Sequence, residues 1–249
     1  MFALLTTLIF ILAFIFSMLG LGGAMVYNPL MVWFGYDFKS VVVPTGLLLN
    51  GLTAISAAWA YYRKGMIDFS VALPLVITSA LGAPAGAYFT QFISTNVLLG
   101  LFAAAVVFAG GRMLLVSKTA EPDTMRGTAR QRVLWGAGLG FGIGFIAGML
   151  GIGGGFLIVP LLMAMGYPTK IAAATSAFTV VFSSFTGFLG HLAVGHFDWA
   201  FMLTLSIAVV IGSQIGARVM AAQMKPRQIK QMFGVVLLFV GLKMIWGLF

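Results

Sequence analysis

The chain has 249 residues, of which 61% are hydrophobic and only 8% charged, with a mean hydropathy of +1.09. A soluble domain of this size carries about 25% charged residues, so a water-facing surface is excluded. The net charge of +9 is spread over short loops between apolar runs, which points to membrane topology rather than nucleic acid, and the absence of cysteine excludes disulfide, thiolate-metal and thiol chemistry.

The first apolar run, residues 1–19, has no basic segment before it and no small-residue cleavage site after it, so a retained helix is expected. It meets a glycine cluster, Gly20-Leu-Gly-Gly23, and a shorter apolar piece over 24–36 follows. Full-length runs are predicted over 41–62, 69–92 and 96–116. A polar tract, Ser117 to Arg132, is read as a loop. The same order then returns: 133–150, the glycines Gly151-Ile-Gly-Gly-Gly155, a short piece over 155–166, and long runs over 171–194, 199–221 and 228–249.

This is an internal repeat. Met18 to Pro29 matches Met149 to Pro160, and Gly35-Tyr36 matches Gly166-Tyr167, both at an offset of 131. Gly65-Met-Ile-Asp68 matches Gly195-His-Phe-Asp198, and Gly82 and Gly86 match Gly212 and Gly216, at an offset of 130. The expected organisation is a first transmembrane repeat over 1–116, a cytoplasmic linker over 117–132 and a second repeat over 133–249. The short pieces would be about 18–20 Å long, too short for a hydrocarbon core of about 30 Å.

Basic residues choose between two threadings. If each glycine segment is one continuous span, the repeats are parallel and Lys and Arg divide almost evenly between the two sides. If each is a hairpin returning to its starting side, the repeats are inverted. Arg63, Lys64, Arg112, Lys118, Arg126, Arg130, Arg132, Lys170, Arg218, Lys225, Arg227 and Lys230 then share the cytoplasmic side, leaving only Lys39 and Lys243 opposite. The positive-inside rule favours the second. The predicted fold is all-α integral membrane: two inverted repeats, each a glycine-broken helical hairpin plus three transmembrane helices, in the bacterial inner membrane.

The glycine turns are the sharpest functional signal. Irregular backbone at membrane depth lines a cavity or is buried in protein, and a short helix starting there offers free N–H groups and a positive dipole end to an anion. Gly20, Gly22, Gly23, Gly151, Gly153, Gly154 and Gly155 are therefore candidate substrate-binding residues, against the plain alternative of close helix packing. Asn28, Thr45, Thr175 and Ser176 join them as polar groups near the turns and the next helix starts. Asn50, Thr179, Ser183 and Ser184 read more simply as residues that bond back to their own helix. Asp68 and Asp198 read as N-caps, His191 and His196 as outer-surface residues, and the glycines of 136–148 as packing positions. Arg218 reads as a snorkelling side chain, with attraction of anions to a cavity mouth as the alternative. No catalytic motif is present, and no cofactor or metal is expected.

At these residues the chain resembles the TauE/SafE family of sulfite and organosulfur-anion permeases. The resemblance rests on Gly151-Ile-Gly-Gly-Gly-Phe-Leu-Ile-Val-Pro-Leu-Leu162, Gly166 and Ala174-Thr-Ser176, and on Tyr62-Arg-Lys-Gly-Met-Ile-Asp-Phe69 echoed by His196-Phe-Asp-Trp199. It covers essentially the whole chain. The first repeat departs from the pattern, with Ala24 in place of the third glycine and Pro44-Thr45 in place of Thr-Ser. The resemblance implies a secondary transporter moving a small anion, such as sulfite or a sulfonate, by alternating access. A passive channel of the same fold, a membrane-embedded enzyme and an accessory subunit are the alternatives. The expected partners are the small anionic substrate and the lipid bilayer, with no nucleic acid and with a homodimer as an open oligomeric state.

Overall fold

The computed structural model describes residues 2–117, 128–192 and 198–246. Those residues build ten α-helices: α1 (Phe2–Leu19), α2 (Ala24–Trp33), α3 (Val43–Tyr62), α4 (Phe69–Thr90), α5 (Thr95–Ser117), α6 (Ala129–Leu150), α7 (Gly155–Ala164), α8 (Thr169–His191), α9 (Trp199–Gln223) and α10 (Pro226–Trp246). A π-helical turn, Phe38–Val42, leads directly into α3 and makes one continuous span with it. Seven spans among the described residues are long and apolar enough to cross a membrane. The expected all-helical membrane architecture is present.

Local chemistry sets the boundaries. Gly20 and Gly22, and Gly151, Gly153 and Gly154, all sit at positive φ, where an L side chain is strained, and so end one helix and admit the next. Asp68 Oδ1 accepts the Ser70 N–H at 2.9 Å, and Asp198 Oδ1 accepts the Phe201 N–H at 3.1 Å, so both aspartates are N-caps. One boundary differs from the sequence reading. Helix α6 begins at Ala129, inside the polar tract taken as loop, because Thr128 and Gln131 form a capping box.

Helix α6 lies along α4 and α1 lies along α9. Both contacts are glycine seams. A Cβ on Gly148 would stand 2.0 Å from Ala83 O, and one on Gly86 would stand 1.9 Å from Phe145 O. In the α1–α9 seam, a Cβ on Gly216 would stand 2.0 Å from Phe14 O. Only a missing side chain lets the backbones come this close, so these are packing glycines.

Helix α8 also packs against α4 and α3, α3 against α9, and α5 against α10. Gly51 faces Phe185 while Gly187 faces Leu47, so α3 and α8 run antiparallel. Gly110 faces Leu237 while Gly241 faces Val107, so α5 and α10 do as well. The ends of the short helices return toward the helices they follow. Phe2, at the start of α1, and Tyr36, after α2, both pack on the Phe201 ring at 5.7 and 4.8 Å. In the second half the Arg132 guanidinium, near the start of α6, lies 6.0 Å from the ring centre of Tyr167, after α7.

The candidate anion site

The two glycine turns meet inside the protein. A Cβ on Gly155 would stand 2.8 Å from the Leu21 backbone, and one on Gly153 would stand 2.0 Å from the Asn50 amide. All the turn residues from Gly20 to Gly23 and from Gly151 to Gly155 are buried.

Asn50 is the junction between the two turns. Its Oδ1 accepts the Gly23 N–H at 2.5 Å and the Ala24 N–H at 2.8 Å, filling the N-terminus of α2. Its Nδ2 donates to Ser184 Oγ at 2.8 Å across the α3–α8 interface. The equivalent position at an offset of 130 is Val180, which has no acceptor to offer. Helix α7 starts at Gly154, and among the described residues no side chain accepts from its first N–H groups. The two short helices differ in this: Asn50 reaches the N-terminus of α2 from another helix.

The other predicted residues are distributed around this centre. Asn28 Nδ2 donates to Gly151 O at 2.9 Å and so ties α2 to the opposite turn, while its Oδ1 is buried without a partner beside Gly46. Ser183 Oγ donates to Gly153 O at 2.9 Å, and Ser176 Oγ lies 3.5 Å from Gly155 O. Thr45 is buried in the first turn of α3. Thr175 is brought elsewhere: its Oγ1 accepts the Asp68 N–H at 3.1 Å, leaving its own proton to donate. Gly23, unlike the other turn glycines of α1–α2, has an extended φ of −163°, and a Cβ there would meet the Tyr27 ring.

Sequence reasoning read Asn50, Ser183 and Ser184 as bonding back to their own helix. Ser183 does bond back to Val180 O at 3.3 Å, but Asn50 and Ser184 reach across helices. The available signal was that an amide stands at Asn50 in a span whose other polar side chains near mid-length are hydroxyls, and that it lacks a counterpart in the second repeat. His191 also differs from expectation. It is 3% exposed, with Nε2 3.2 Å from Gly148 O, because α8 packs its end against α6. His196, Lys118 and Arg126 lie outside the described residues.

At the end of the molecule that carries most of the basic residues, Tyr167 sits beside Asp68 and Arg132. Burial, reinforced by the Asp68 carboxylate, holds its hydroxyl above the usual phenol range. Among the described residues, no group of three or more His, Asp or Glu side chains stands together to hold a metal ion.

The family described as sulfite exporter TauE/SafE matches residues 5–244. The chain belongs to the TauE/SafE family. A probable membrane transporter protein of Bacillus subtilis, YunE, is 28% identical, over 100% of this chain and 99% of that protein. A probable membrane transporter protein of Xylella fastidiosa is 25% identical over 95% of this chain and 92% of that one. The sulfite exporter TauE/SafE family protein 3 of Arabidopsis thaliana is 32% identical over 47% of this chain and 25% of its own length. No solved structure matches the chain at a significant level.

Proposed function

We propose that this TauE/SafE chain is a secondary transporter that moves a small oxyanion or organosulfonate across the inner membrane by alternating access. Transport as such is the activity in the names of its relatives. The anion and the mechanism are our reading of the site.

The observation that carries the reading is the difference between the two short helices. Both short helices start at a glycine that cannot cap them itself, but Asn50 Oδ1 accepts from the first N–H groups of α2, whereas among the described residues no side chain accepts from those of α7. Glycine at 153, 154 and 155 puts no side chain over the turn, and the Asn50 amide, Ser184 Oγ and the Leu21 backbone stand against it. An anion there would receive N–H groups and the positive end of the α7 dipole, with the Ser184 and Asn50 side chains beside it. An unpaired charge in a low-dielectric interior is costly, so these donors would replace a formal countercharge. Gly20, Gly22, Gly23, Asn28, Thr45, Gly151 and Ser176 complete the proposed site as its walls, while Thr175, bonded to the Asp68 amide, is left out of it.

Antiparallel α3/α8 and α5/α10, and the return of both short helices toward their starting side, support two inverted repeats joined at Asn50 and Ser184. Rocking of one half on the other would expose the turns to each side in turn. The test is concentrative uptake of labelled sulfite or a small sulfonate into proteoliposomes, alongside thermal stability against a panel of anions. Uptake that follows its gradient only and ignores an uncoupler would make the protein a channel. A panel in which no anion raises the melting temperature would overturn the anion reading.

A further inference from the structure

We propose that the basic end of the α3–α9 seam is a binding site for an anionic phospholipid, with the headgroup phosphate in a cationic cavity and an acyl chain in the apolar groove beside it. The proposal does not rest on the identity of the transported anion.

A cavity of about 430 Å³ lies between the ends of α3 and α9, walled by Trp59, Arg63, Lys64, Gln214 and Arg218. Three cations therefore face one volume. None of the three is paired with an acidic side chain among the described residues, and no acidic residue lines the cavity. Gln214 is held in place because its Nε2 donates to Ser56 O at 2.9 Å. All three cations are exposed, so the cavity offers an unneutralised positive face to an incoming anion.

A second volume of about 460 Å³ adjoins the first and shares Trp59 with it. Its walls are apolar or aromatic, including Ile55, Tyr62, Phe69, Phe178 and Phe182. Trp59 is 57% exposed and Tyr62 56%, both at a helix end, where such rings occupy the membrane–water interface. An amphipathic ligand fits the pair: charge in the cavity, hydrocarbon in the groove. A free sulfonate or phosphate has no use for the groove. Anionic lipids are concentrated in the cytoplasmic leaflet, and basic pockets between helices on that side recognise their headgroups.

The cations are not a by-product of the repeat. A related cavity of about 150 Å³ sits at the opposite end, lined by Lys39, Tyr88, Thr90, Gln91 and His191. At an offset of 130, the counterparts of Arg63, Lys64 and Arg218 are Ala193, Val194 and Tyr88. The repeat supplies the hollow at both ends, but three cations line one and Lys39 is the one Lys or Arg lining the other, which is about a third of its volume.

The test uses the full chain in detergent, with phosphatidylglycerol and phosphatidylcholine of matched acyl chains added in turn. Phosphatidylglycerol should give a saturable rise in melting temperature of at least about 4 °C, and phosphatidylcholine much less. Arg63→Gln with Arg218→Gln should remove that difference while leaving the phosphatidylcholine value unchanged. Trp59→Ala should weaken it. Equal shifts from the two lipids would overturn the proposal. So would an equal shift from soluble glycerol phosphate, which would mark a free-anion site. If the double variant does not purify, native mass spectrometry of the wild type in a competing lipid mixture decides. Preferential retention of phosphatidylglycerol supports the site, and equal retention rules it out.

Discussion

Asn50 Nδ2 stands 2.8 Å from Ser184 Oγ, and this bond joins α3 to α8 where both glycine turns arrive. The same side chain caps α2 through Oδ1. One amide therefore holds a helix N-terminus, a neighbouring helix and the approach to the opposite turn.

Asn50→Ala should be the most damaging polar substitution in the core. It leaves the buried Gly23 and Ala24 N–H groups without an acceptor and removes the donor to Ser184. The expected cost is about 2–4 kcal/mol, read as a lower melting temperature, against about 1 kcal/mol for Ser184→Ala. Asn50→Asp should keep the α2 cap but place a negative charge beside the proposed site. Anion affinity should then fall by about tenfold or more while the protein stays folded, because a like charge nearby costs at least about 1.4 kcal/mol. Unchanged affinity in the aspartate variant would separate Asn50 from the anion.

The turn glycines should divide into two classes. At Gly20 a Cβ would stand 2.0 Å from the Ala173 carbonyl oxygen, which is backbone and cannot move aside. At Gly154 it would meet only Ile143 and Ala147 methyl groups at 3.1 and 3.3 Å. Both residues have positive φ, so both alanine variants carry about 1–2 kcal/mol of backbone strain. Gly20→Ala should therefore fail to yield a monodisperse protein. Gly154→Ala should fold and bind anion more weakly. Fluorescence-detected size exclusion followed by thermal shift separates the two outcomes. Valine at Gly22 or Gly153 would strike the Asn50 amide, so loss of folding there carries no information about the anion.

Topology can be read from single cysteines, because the chain has none of its own. Lys64→Cys and Thr128→Cys should react with a membrane-impermeant thiol reagent only from the cytoplasmic side. Gln91→Cys should react only from the outside. Lys225→Cys separates the two threadings: it should react only from the cytoplasmic side, and reaction from the outside would contradict the inverted arrangement.

His191→Gln should act on stability rather than on proton coupling. The ring lies against Gly148 O at 3.2 Å and is nearly closed off from solvent. Its loss should cost about 1 kcal/mol and leave the pH profile of transport unchanged. A shifted pH profile in a well-folded variant would assign the histidine a role in proton movement.

Much of this protein was readable from residue types and their spacing. Membrane residence follows from the lack of enough charge to cover a soluble surface, and glycine cannot hide its effect on a helix. The breaks at Gly20–Gly23 and Gly151–Gly155, the seams at Gly82/Gly86 and Gly212/Gly216, and the caps at Asp68 and Asp198 are local consequences of a missing Cβ or a short carboxylate. The destinations of the polar side chains were not readable. Asn50 pairs with a serine 134 residues away, Thr175 with the Asp68 amide 107 residues away, and Asn28 with the opposite turn. Hydrophobic periodicity says that such a residue lies on a buried helix. Which helix crosses it, and at what height, depends on how two folded halves seat against each other. In an apolar interior with no water to offer a substitute bond, that seating selects the partner.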